Sequence, residues 1–203
     1  DLDQARAYYE RTIESRVRVN GPDDRRTLNA ELLLVTFESV NAAQPITIER
    51  ARSFYEHCRR VLGDEDLYTL TARQVAGIAM FDHGRSEEGI DELQAVVRAM
   101  RAVLGDDDST TILAIGGLGG ELLMLNRLDE AEPLIRESIE RGRRILGDRH
   151  PHVASMMNNL AYLLLRKRQP DEAIELMQQA VALQTELMGP NHPRAGSYTH
   201  MTL

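Results

Sequence analysis

The sequence has little of several residue types, and each shortage limits what the protein can be. It contains one cysteine, Cys58, and no tryptophan. A single cysteine cannot form an intrachain disulfide, so the sequence predicts a reducing, cytoplasmic location. No stretch approaches the roughly 18 consecutive apolar residues of a membrane-spanning helix, so no membrane partner is expected.

Positive charge is also in short supply. The formal net charge is −8, whereas binding to a phosphate backbone requires a basic surface, so no nucleic-acid partner is expected. Two short basic clusters lie at residues 141–144 and 166–168. Both are near the expected C-terminal ends of helices, where cations complement the helix dipole, so we interpret them as structural.

What the sequence does contain is a regularly spaced glycine. Gly21, Gly63, Gly105, Gly147 and Gly189 follow one another at intervals of 42 residues. The clearest copy of the repeated text reads GDRHPHVASMMNNLAYLLLRKRQPDEAIELMQQAVALQTELM, which is typical of a helix, a short turn and a second helix. Equal spacing at a residue that punctuates secondary structure predicts an array of two-helix units, each packed on its neighbours.

The whole chain, residues 1–203, is interpreted as a single array. Its parts are an orphan second helix at 1–20, full repeats at 21–62, 63–104, 105–146 and 147–188, and a partial repeat at 189–203. Both ends fall inside a repeat, so we expect a piece of a longer protein whose uncapped terminal helices offer a route to self-association.

The ends of the predicted helices carry suitable chemistry. Asp24, Asp66 and Asp108 stand where the first helix of a unit begins, and an aspartate there accepts bonds from free backbone N–H groups. In the fourth unit this place holds His150 followed by Pro151, and proline is well suited to the first helical position. Small residues recur where paired helices must approach closely: Ala5, Gly77, Gly89, Gly119, Ala131, Ala161 and Ala173.

The first full repeat allows two registers. In strict register its helices span about 25–41 and 45–62, and Thr47 and Phe54 then occupy positions that are small in the other units. Sliding the second helix by one turn places Ala51 and Cys58 at these positions and lengthens the loop through Pro45. We prefer strict register.

The oddest feature is the glycine cluster of residues 116–120, GGLGG, inside a predicted helix. Each glycine costs roughly 0.5–1 kcal/mol relative to alanine in a helix interior. The cluster matches neither a phosphate-binding loop nor a dinucleotide fingerprint. Two explanations remain open: close approach of a ligand backbone, or tight packing of a helix supported by its neighbours. If a ligand backbone approaches closely, Gly116→Ala with Gly120→Ala should stabilise the fold and weaken ligand binding.

The repeat text resembles a known family. The Leu-Gly and Leu-Ala pairs at 118–119 and 160–161, with Asp-Glu-Ala at the start of the second helix, resemble tetratricopeptide repeats. The 42-residue period, the Leu-Gly-Asp linker and the following His-Pro are similar to the kinesin light chain type, which is common in bacterial multidomain signalling proteins. The resemblance covers essentially the whole chain.

The resemblance implies an all-α fold, a right-handed α-α superhelix of about nine to ten antiparallel helices. It further implies a non-catalytic interaction module that binds an extended peptide or a partner helix in its concave groove, within a larger bacterial signalling or regulatory protein. The alternative is a structural module for self-association or for docking on another domain of the same protein.

Carried over position by position, the resemblance also predicts the groove wall. Its residues are Asn29, Leu32, Thr36, Thr71, Gln74, Ile78, Asp82, Leu113, Gly116, Gly117, Gly120, Ser155, Asn158, Asn159, Tyr162 and Arg166. An asparagine amide donates and accepts at once, so contact with a ligand backbone is predicted to concentrate on the Asn158–Asn159 pair. The Lys, Asn and Arg cluster of chaperone-binding relatives is not apparent, so a chaperone adaptor is not expected.

Groups that could carry chemistry are dispersed. Cys58 is interpreted as structural, since its sequence neighbour His57 points in a different direction on a helix. His150 and His192 are one repeat apart, about 10 Å between packed helices, which is too far to share a metal ion. Because no nucleophile is paired with an oriented base, we expect no enzyme activity, no metal and no cofactor.

Overall fold

The computed structural model describes residues 2–39 and 46–188, and at Gln184, Leu187 and Met188 it describes the backbone alone. Over these ranges the chain forms nine α-helices and no strand. The helices are α1 (Leu2–Asn20), α2 (Arg25–Ser39), α3 (Ile48–Leu62), α4 (Leu67–Asp82), α5 (Ser86–Leu104), α6 (Ser109–Met124), α7 (Leu128–Ile145), α8 (Pro151–Arg166) and α9 (Pro170–Met188). No helix in the described ranges is long and apolar enough to cross a membrane.

The helices group into two compact units, Asp1–Val103 and Leu104–Leu203. The division coincides with the junction between the second and third predicted repeats. The first unit therefore holds the orphan helix α1 and two full repeats, and the second holds the other two full repeats. That all the repeats form one continuous array stays a prediction.

The first helix of each full repeat begins at the predicted capping residue. The carboxylates of Asp24, Asp66 and Asp108 each accept a hydrogen bond from the backbone N–H two residues later, over 2.9, 2.9 and 2.7 Å. His150 replaces the carboxylate in the fourth repeat, where its Nδ1 accepts the equivalent bond over 3.2 Å and Pro151 follows as the first helical residue. Each helix start is thus fixed by local chemistry that the sequence displays.

The glycine that recurs every 42 residues follows the end of the second helix of a repeat. Gly63, Gly105 and Gly147 have φ angles of 87°, 89° and 95°, in the left-handed region that side chains disfavour. A glycine there lets the chain leave one helix and turn into the next. This backbone requirement explains why glycine spacing is the clearest repeat signal in the sequence.

Helix α3 departs from the predicted register at one end. It ends at Leu62, in step with Leu104 of α5, but it begins at Ile48, four residues later in the repeat than Ser86 does. Thr47 caps it by accepting a hydrogen bond from Arg50 N over 3.2 Å. The predicted start at residue 45 is therefore wrong, because the cap stands at Thr47. The predicted end of α2 at residue 41 lies outside the described residues.

The core of the first unit is formed by apolar side chains from α2, α3 and α4. Val35, Phe54, Cys58 and Val75 are among its buried members. Burial raises the pKa of the Cys58 thiol to about 12, with smaller contributions from nearby carboxylates, so the thiolate is disfavoured. Cys58 therefore packs as a small apolar side chain, in agreement with its predicted structural role.

One buried carboxylate ties three helices of the first unit together. Glu38 of α2 is 3% exposed and accepts hydrogen bonds from Arg6 of α1 over 2.7 Å and from Arg50 of α3 over 2.8 Å. A buried carboxylate is costly unless it is paired, so the two arginines offset the cost of burying Glu38 and link α1 and α3 to α2.

The small residues do mark close helix crossings. A Cβ atom added to Gly89 would lie 2.7 Å from the backbone oxygen of Gly77 and 2.9 Å from the backbone nitrogen of Phe81. In the second unit, a Cβ on Gly119 would lie 2.8 Å from Cγ1 of Ile135. The backbones of the paired helices are nearly in contact, which leaves no room for a side chain.

We predict that Gly89→Ala destabilises the protein by about 1–3 kcal/mol, because the added methyl group meets backbone atoms of α4 that cannot rotate away. Gly120→Ala is the matched control. Its Cβ would be 3.4 Å from Nδ2 of Asn159, an ordinary contact, so the gain in helix propensity should stabilise the fold by about 0.5–1 kcal/mol. Urea unfolding followed by circular dichroism measures both, and equal effects would contradict the close crossing.

Candidate functional site

A cleft of about 360 Å³ lies in the second unit, between α6, α8 and α9. Its lining residues are Gly120, Glu121, Leu123, Met124, Asn158, Asn159, Tyr162, Leu165 and Met177. Most of these side chains are apolar or aromatic, and a few are polar. Such a combination is typical of sites that bind a side chain or a small ligand.

The cleft brings together part of the predicted groove wall. Gly120, Asn158, Asn159 and Tyr162 line it. The other predicted residues of α6 and α8 are not among its lining residues. Of these, Leu113, Gly117, Ser155 and Arg166 are exposed, and Gly116 is buried.

Sequence reasoning missed five of the lining residues, and one of them could have been found. Met124 occupies the same repeat position as Asp82 and Arg166, which were both assigned to the groove. Met177 lies on the apolar stripe of its helix in the sequence. It reaches the cleft because α9 packs beside α8, a spatial relation that periodicity alone does not give.

Asn158 is the unusual member of the cleft. Its side-chain Nδ2 and Oδ1 are both buried, and neither has a hydrogen-bond partner among the described residues. Leaving a buried polar group unpaired costs roughly 1–3 kcal/mol. Buried polar groups of native proteins are generally paired with protein, ordered water or a ligand, so the Asn158 amide calls for a partner beyond the described residues.

Within the described ranges, three other buried side-chain oxygens also lack a partner, but they have a different explanation. They are the hydroxyl groups of Thr27, Thr69 and Thr111, which share one repeat position. The fourth member of that position is Val153, which has the same shape and no hydroxyl. The position therefore requires a β-branched shape, and the hydroxyl itself is dispensable there.

The rim of the cleft exposes apolar surface. Met124 is 72% exposed and Tyr162 is 46% exposed. The guanidinium of Arg166 lies 5.7 Å from the centre of the Tyr162 ring, which places a positive charge beside the aromatic surface. Met124 and Tyr162, the two exposed side chains of the rim, have room to change rotamer without displacing a buried core residue.

The glycine cluster combines two structural roles. A Cβ on Gly116 would lie 2.6 Å from Ser138 Oγ, 2.7 Å from His152 Cε1 and 2.8 Å from Met156 Sδ. Gly116 and Gly119 are therefore required by packing, whereas Gly120 borders the cleft. This geometry argues against the Gly116→Ala half of the predicted stabilisation, because three neighbouring side chains would have to shift to make room for the methyl group. The stabilisation by Gly116→Ala with Gly120→Ala stays a prediction.

Ser138 and His152 form a pair that superficially suggests a nucleophile and its base. Ser138 is fully buried and its Oγ donates to the backbone oxygen of Ile112 over 3.0 Å. The hydroxyl must then accept from His152 Nε2, which lies 2.8 Å away. A catalytic base accepts the proton of its nucleophile. Here the histidine donates the hydrogen bond and the serine accepts it, so the pair serves packing.

The predicted groove residues of the first unit are less exposed than expected. Leu32 is buried in the core. Asn29, Thr71, Gln74 and Ile78 are half-buried, and Thr36 and Asp82 are exposed. Thr71 Oγ1 donates to the backbone oxygen of Leu67 over 2.8 Å, so its hydroxyl is already engaged. Although the Asp82 side chain is exposed overall, nearby protein partly desolvates its carboxyl and so raises the pKa of that group.

The described residues offer no cluster of three or more His, Cys, Asp or Glu side chains that could hold a metal ion. His150 uses Nδ1 to cap α8, and His152 donates to Ser138. His192, the third histidine considered, lies outside the described residues.

Comparison with known families identifies the repeat. One family model, described as Tetratricopeptide repeat, matches residues 114–186 and 152–201, and a second model of the same description matches residues 1–26. Together these matches cover more than half of the chain. The chain belongs to the tetratricopeptide repeat family. Repeats of this family generally mediate protein–protein interaction.

Solved structures with the same fold have kinesin light chain-like repeats. TPR-like repeats from Podosopora anserina, described as nearly identical and of the kinesin light chain kind, give a TM-score of 0.63 at 17% identity, over 92% of this chain and 89% of theirs. BtubC (BKLC) from P. vanneervenii gives 0.74 at 18% identity, over 95% and 77% of the two chains. No curated protein matches the sequence at a significant level. The predicted fold class, an all-α tetratricopeptide solenoid, is confirmed.

We predict that Asn158→Leu stabilises this tetratricopeptide repeat protein by about 1–2 kcal/mol, because leucine has a similar shape and removes the unpaired amide. Ser155→Leu, an exposed position on the same helix, is the control and should change stability by less than about 0.5 kcal/mol. Urea unfolding measures both. A loss of stability in Asn158→Leu would show that the amide is satisfied in the folded protein.

We also predict that His152 makes a contribution to the free energy of unfolding that is lost at acid pH. Burial, with a smaller effect of His150, lowers the pKa of its imidazole to about 4, from 6.5 in an exposed histidine. The unfolded chain therefore binds the proton more readily than the folded chain does. The contribution is complete above about pH 6.5 and is lost as the pH falls towards 4, by about 2 kcal/mol after allowance for partial exposure.

The measurement is urea unfolding at a series of pH values between these limits, for the wild type and for His152→Gln. Glutamine keeps a donor for Ser138 but does not titrate. The wild type should lose about 2 kcal/mol more than the variant. Parallel pH profiles would contradict the buried, neutral state of His152.

Proposed function

We propose that the second unit binds an extended segment of a partner protein across α6 and α8, with one partner side chain inserted into the cleft. The observation that carries the proposal is the buried, unpaired amide of Asn158 in the wall of a cleft that is lined mainly by apolar and aromatic side chains, with Glu121 and Asn159 as its other polar members. The cleft supplies apolar surface, and the amide supplies a directional contact that no described residue uses.

The surface around the cleft suits an extended chain. Leu113, Met124 and Tyr162 expose apolar area on α6 and α8, and exposed apolar residues grouped on one face mark interaction surfaces. Asn159 and Ser155 add groups that can bond to a peptide backbone. An extended chain alternates its side chains, so one enters the cleft while its neighbours point outwards.

The glycines favour an extended segment over a helix. Gly117 and Gly120 present no side chain on this part of α6, which lets another backbone approach closely. A partner helix can approach this closely only where it also carries a small residue, whereas an extended backbone can do so at any residue. Of the two kinds of ligand that the family resemblance implies, the extended peptide therefore fits this surface better.

The proposed role is non-catalytic. Ser138 and His152 are the one nucleophile–histidine pair in the described contacts, and their hydrogen bond runs in the wrong direction for catalysis. The surrounding context, a cytoplasmic bacterial signalling or regulatory protein, stays a prediction from the family resemblance.

Self-association is the second candidate, and one observation favours it. Helix α1 has no fully buried residue, and it exposes Tyr8 by 66% and Val19 by 76%. Apolar area of this kind can mediate contact between two copies of the chain. The peptide-binding role is preferred, because α1 has no buried group left without a partner that would call for a ligand.

The test compares two exposed tyrosines. Tyr162→Ala removes the aromatic rim of the cleft, whereas Tyr8→Ala removes an exposed tyrosine of α1 far along the sequence. Binding is measured by fluorescence anisotropy with labelled, random-sequence peptide pools. Tyr162→Ala should weaken binding about tenfold, since buried aromatic anchors dominate such contacts, and Tyr8→Ala should leave it unchanged.

Two results would contradict the proposal. One is that no pool binds the wild type above the background of a denatured sample. The other is that the two tyrosine substitutions have equal effects. Light scattering on the same samples then distinguishes the second candidate, because self-association gives a mass that rises with protein concentration and falls in Tyr8→Ala.

A further inference from the structure

The cleft joins apolar walls to the buried amide of Asn158, with Glu121 and Asn159 as further polar lining, and this combination restricts the side chain that it can accept. Leu123, Leu165 and Met177 contribute apolar surface. Asn158 contributes a donor, Nδ2, and an acceptor, Oδ1, and both are unpaired. A well-matched ligand must therefore bury aliphatic surface and also provide one donor and one acceptor side by side.

Purely apolar and charged side chains each fail one of these requirements. Leucine or methionine fills the apolar part but leaves both atoms of the Asn158 amide without partners. Glutamate can accept from Nδ2, but its carboxylate repels both Oδ1 and the carboxylate of Glu121, which lines the same cleft. Lysine can donate to Oδ1, but it has no acceptor for Nδ2.

Other polar side chains fail on geometry. A hydroxyl group donates and accepts through a single atom, so it does not face both amide atoms squarely. The two nitrogens of a neutral imidazole point away from each other, and an indole only donates. A primary amide alone presents a donor and an acceptor side by side, in the arrangement that pairs with another primary amide.

We infer that the cleft selects a glutamine side chain of the partner segment. The inference rests on the proposed function. The two methylene groups of glutamine lie along the apolar wall, while its amide N–H donates to Asn158 Oδ1 and its carbonyl oxygen accepts from Asn158 Nδ2. Asparagine has the same amide on a shorter stem and buries less of the wall.

Both amide atoms are buried, so the inference requires a lining side chain to move. Met124 and Tyr162 line the same cleft and are 72% and 46% exposed, which leaves them room to change rotamer. Methionine is well suited to this role because it is unbranched and has three rotatable bonds. The same movement exposes the apolar wall against which the glutamine stem packs.

The experiment uses short peptide pools that differ at the central residue alone. That residue is glutamine, methionine or glutamate, which have side chains of similar length, and the flanking positions are drawn from Ala, Ser, Thr and Val. Affinity for the full chain is measured by fluorescence anisotropy. The glutamine pool should bind about tenfold more tightly than the other two. Glutamine alone forms two hydrogen bonds with Asn158 and so gives both atoms of the unpaired amide a partner.

Asn158→Leu provides the matched control. Leucine closes the amide site but keeps the apolar shape, so the preference should reverse and the methionine pool should bind more tightly than the glutamine pool. Reversal in one variant cannot arise from general loss of folding, since both pools are measured on the same protein sample.

The possible failures are distinguishable. If wild-type protein binds the methionine pool as tightly as the glutamine pool, and Tyr162→Ala weakens both, the glutamine inference is overturned while the peptide-binding role stands. If Asn158→Leu keeps the preference for glutamine, the inference is also overturned, because the amide is then not the selecting group. If no pool responds to Tyr162→Ala, the proposed function itself fails.

Discussion

Close packing between paired helices is the constraint on which the rest of this fold depends. A two-helix unit exposes an apolar stripe that it cannot bury alone, so each helix must lie tightly against its neighbours. At Gly89 the backbones of α4 and α5 leave no space for a methyl group, and at Gly119 a side chain of α7 fills the gap. The repeat therefore tolerates variation on its surfaces but not at these crossings. Function has to be built at positions that the crossings leave open.

The parts of the fold that follow from local chemistry were predictable from the sequence. The caps at Asp66 and Asp108 and the left-handed glycines at the ends of the second helices depend on neighbouring residues alone. The start of α3 was not predictable from the repeat, because Thr47 offers a cap at a different place from the other units. The cleft was predictable in part. Asn158 and Tyr162 share repeat positions with the family groove, whereas Met177 enters the cleft only through the packing of α9 on α8.

A single repeat position shows how the groove changes character along the chain. Its four members are Leu32, Gln74, Gly116 and Asn158. The first is a core residue, the second is half-buried, and the third is a glycine whose space is filled by Ser138, His152 and Met156. The position thus lies at the border between core and groove. In the fourth repeat the same border holds an amide with no partner, so the apolar stripe there is interrupted by a group that packing does not require.

Along helix α8, polar side chains with hydrogen-bond partners lie near the first turn, and a side chain without a partner among the described residues lies in the middle. In its first turn, His150 caps the helix and His152 donates to Ser138, so the side-chain contacts there serve the fold. In its middle, the Asn158 amide is buried and unpaired. The unpaired amide therefore lies apart from the polar contacts that fix the start of the helix, in the wall of the cleft. A stability cost at a cleft position is what binding sites commonly show, since the residue suits the complex better than the isolated fold.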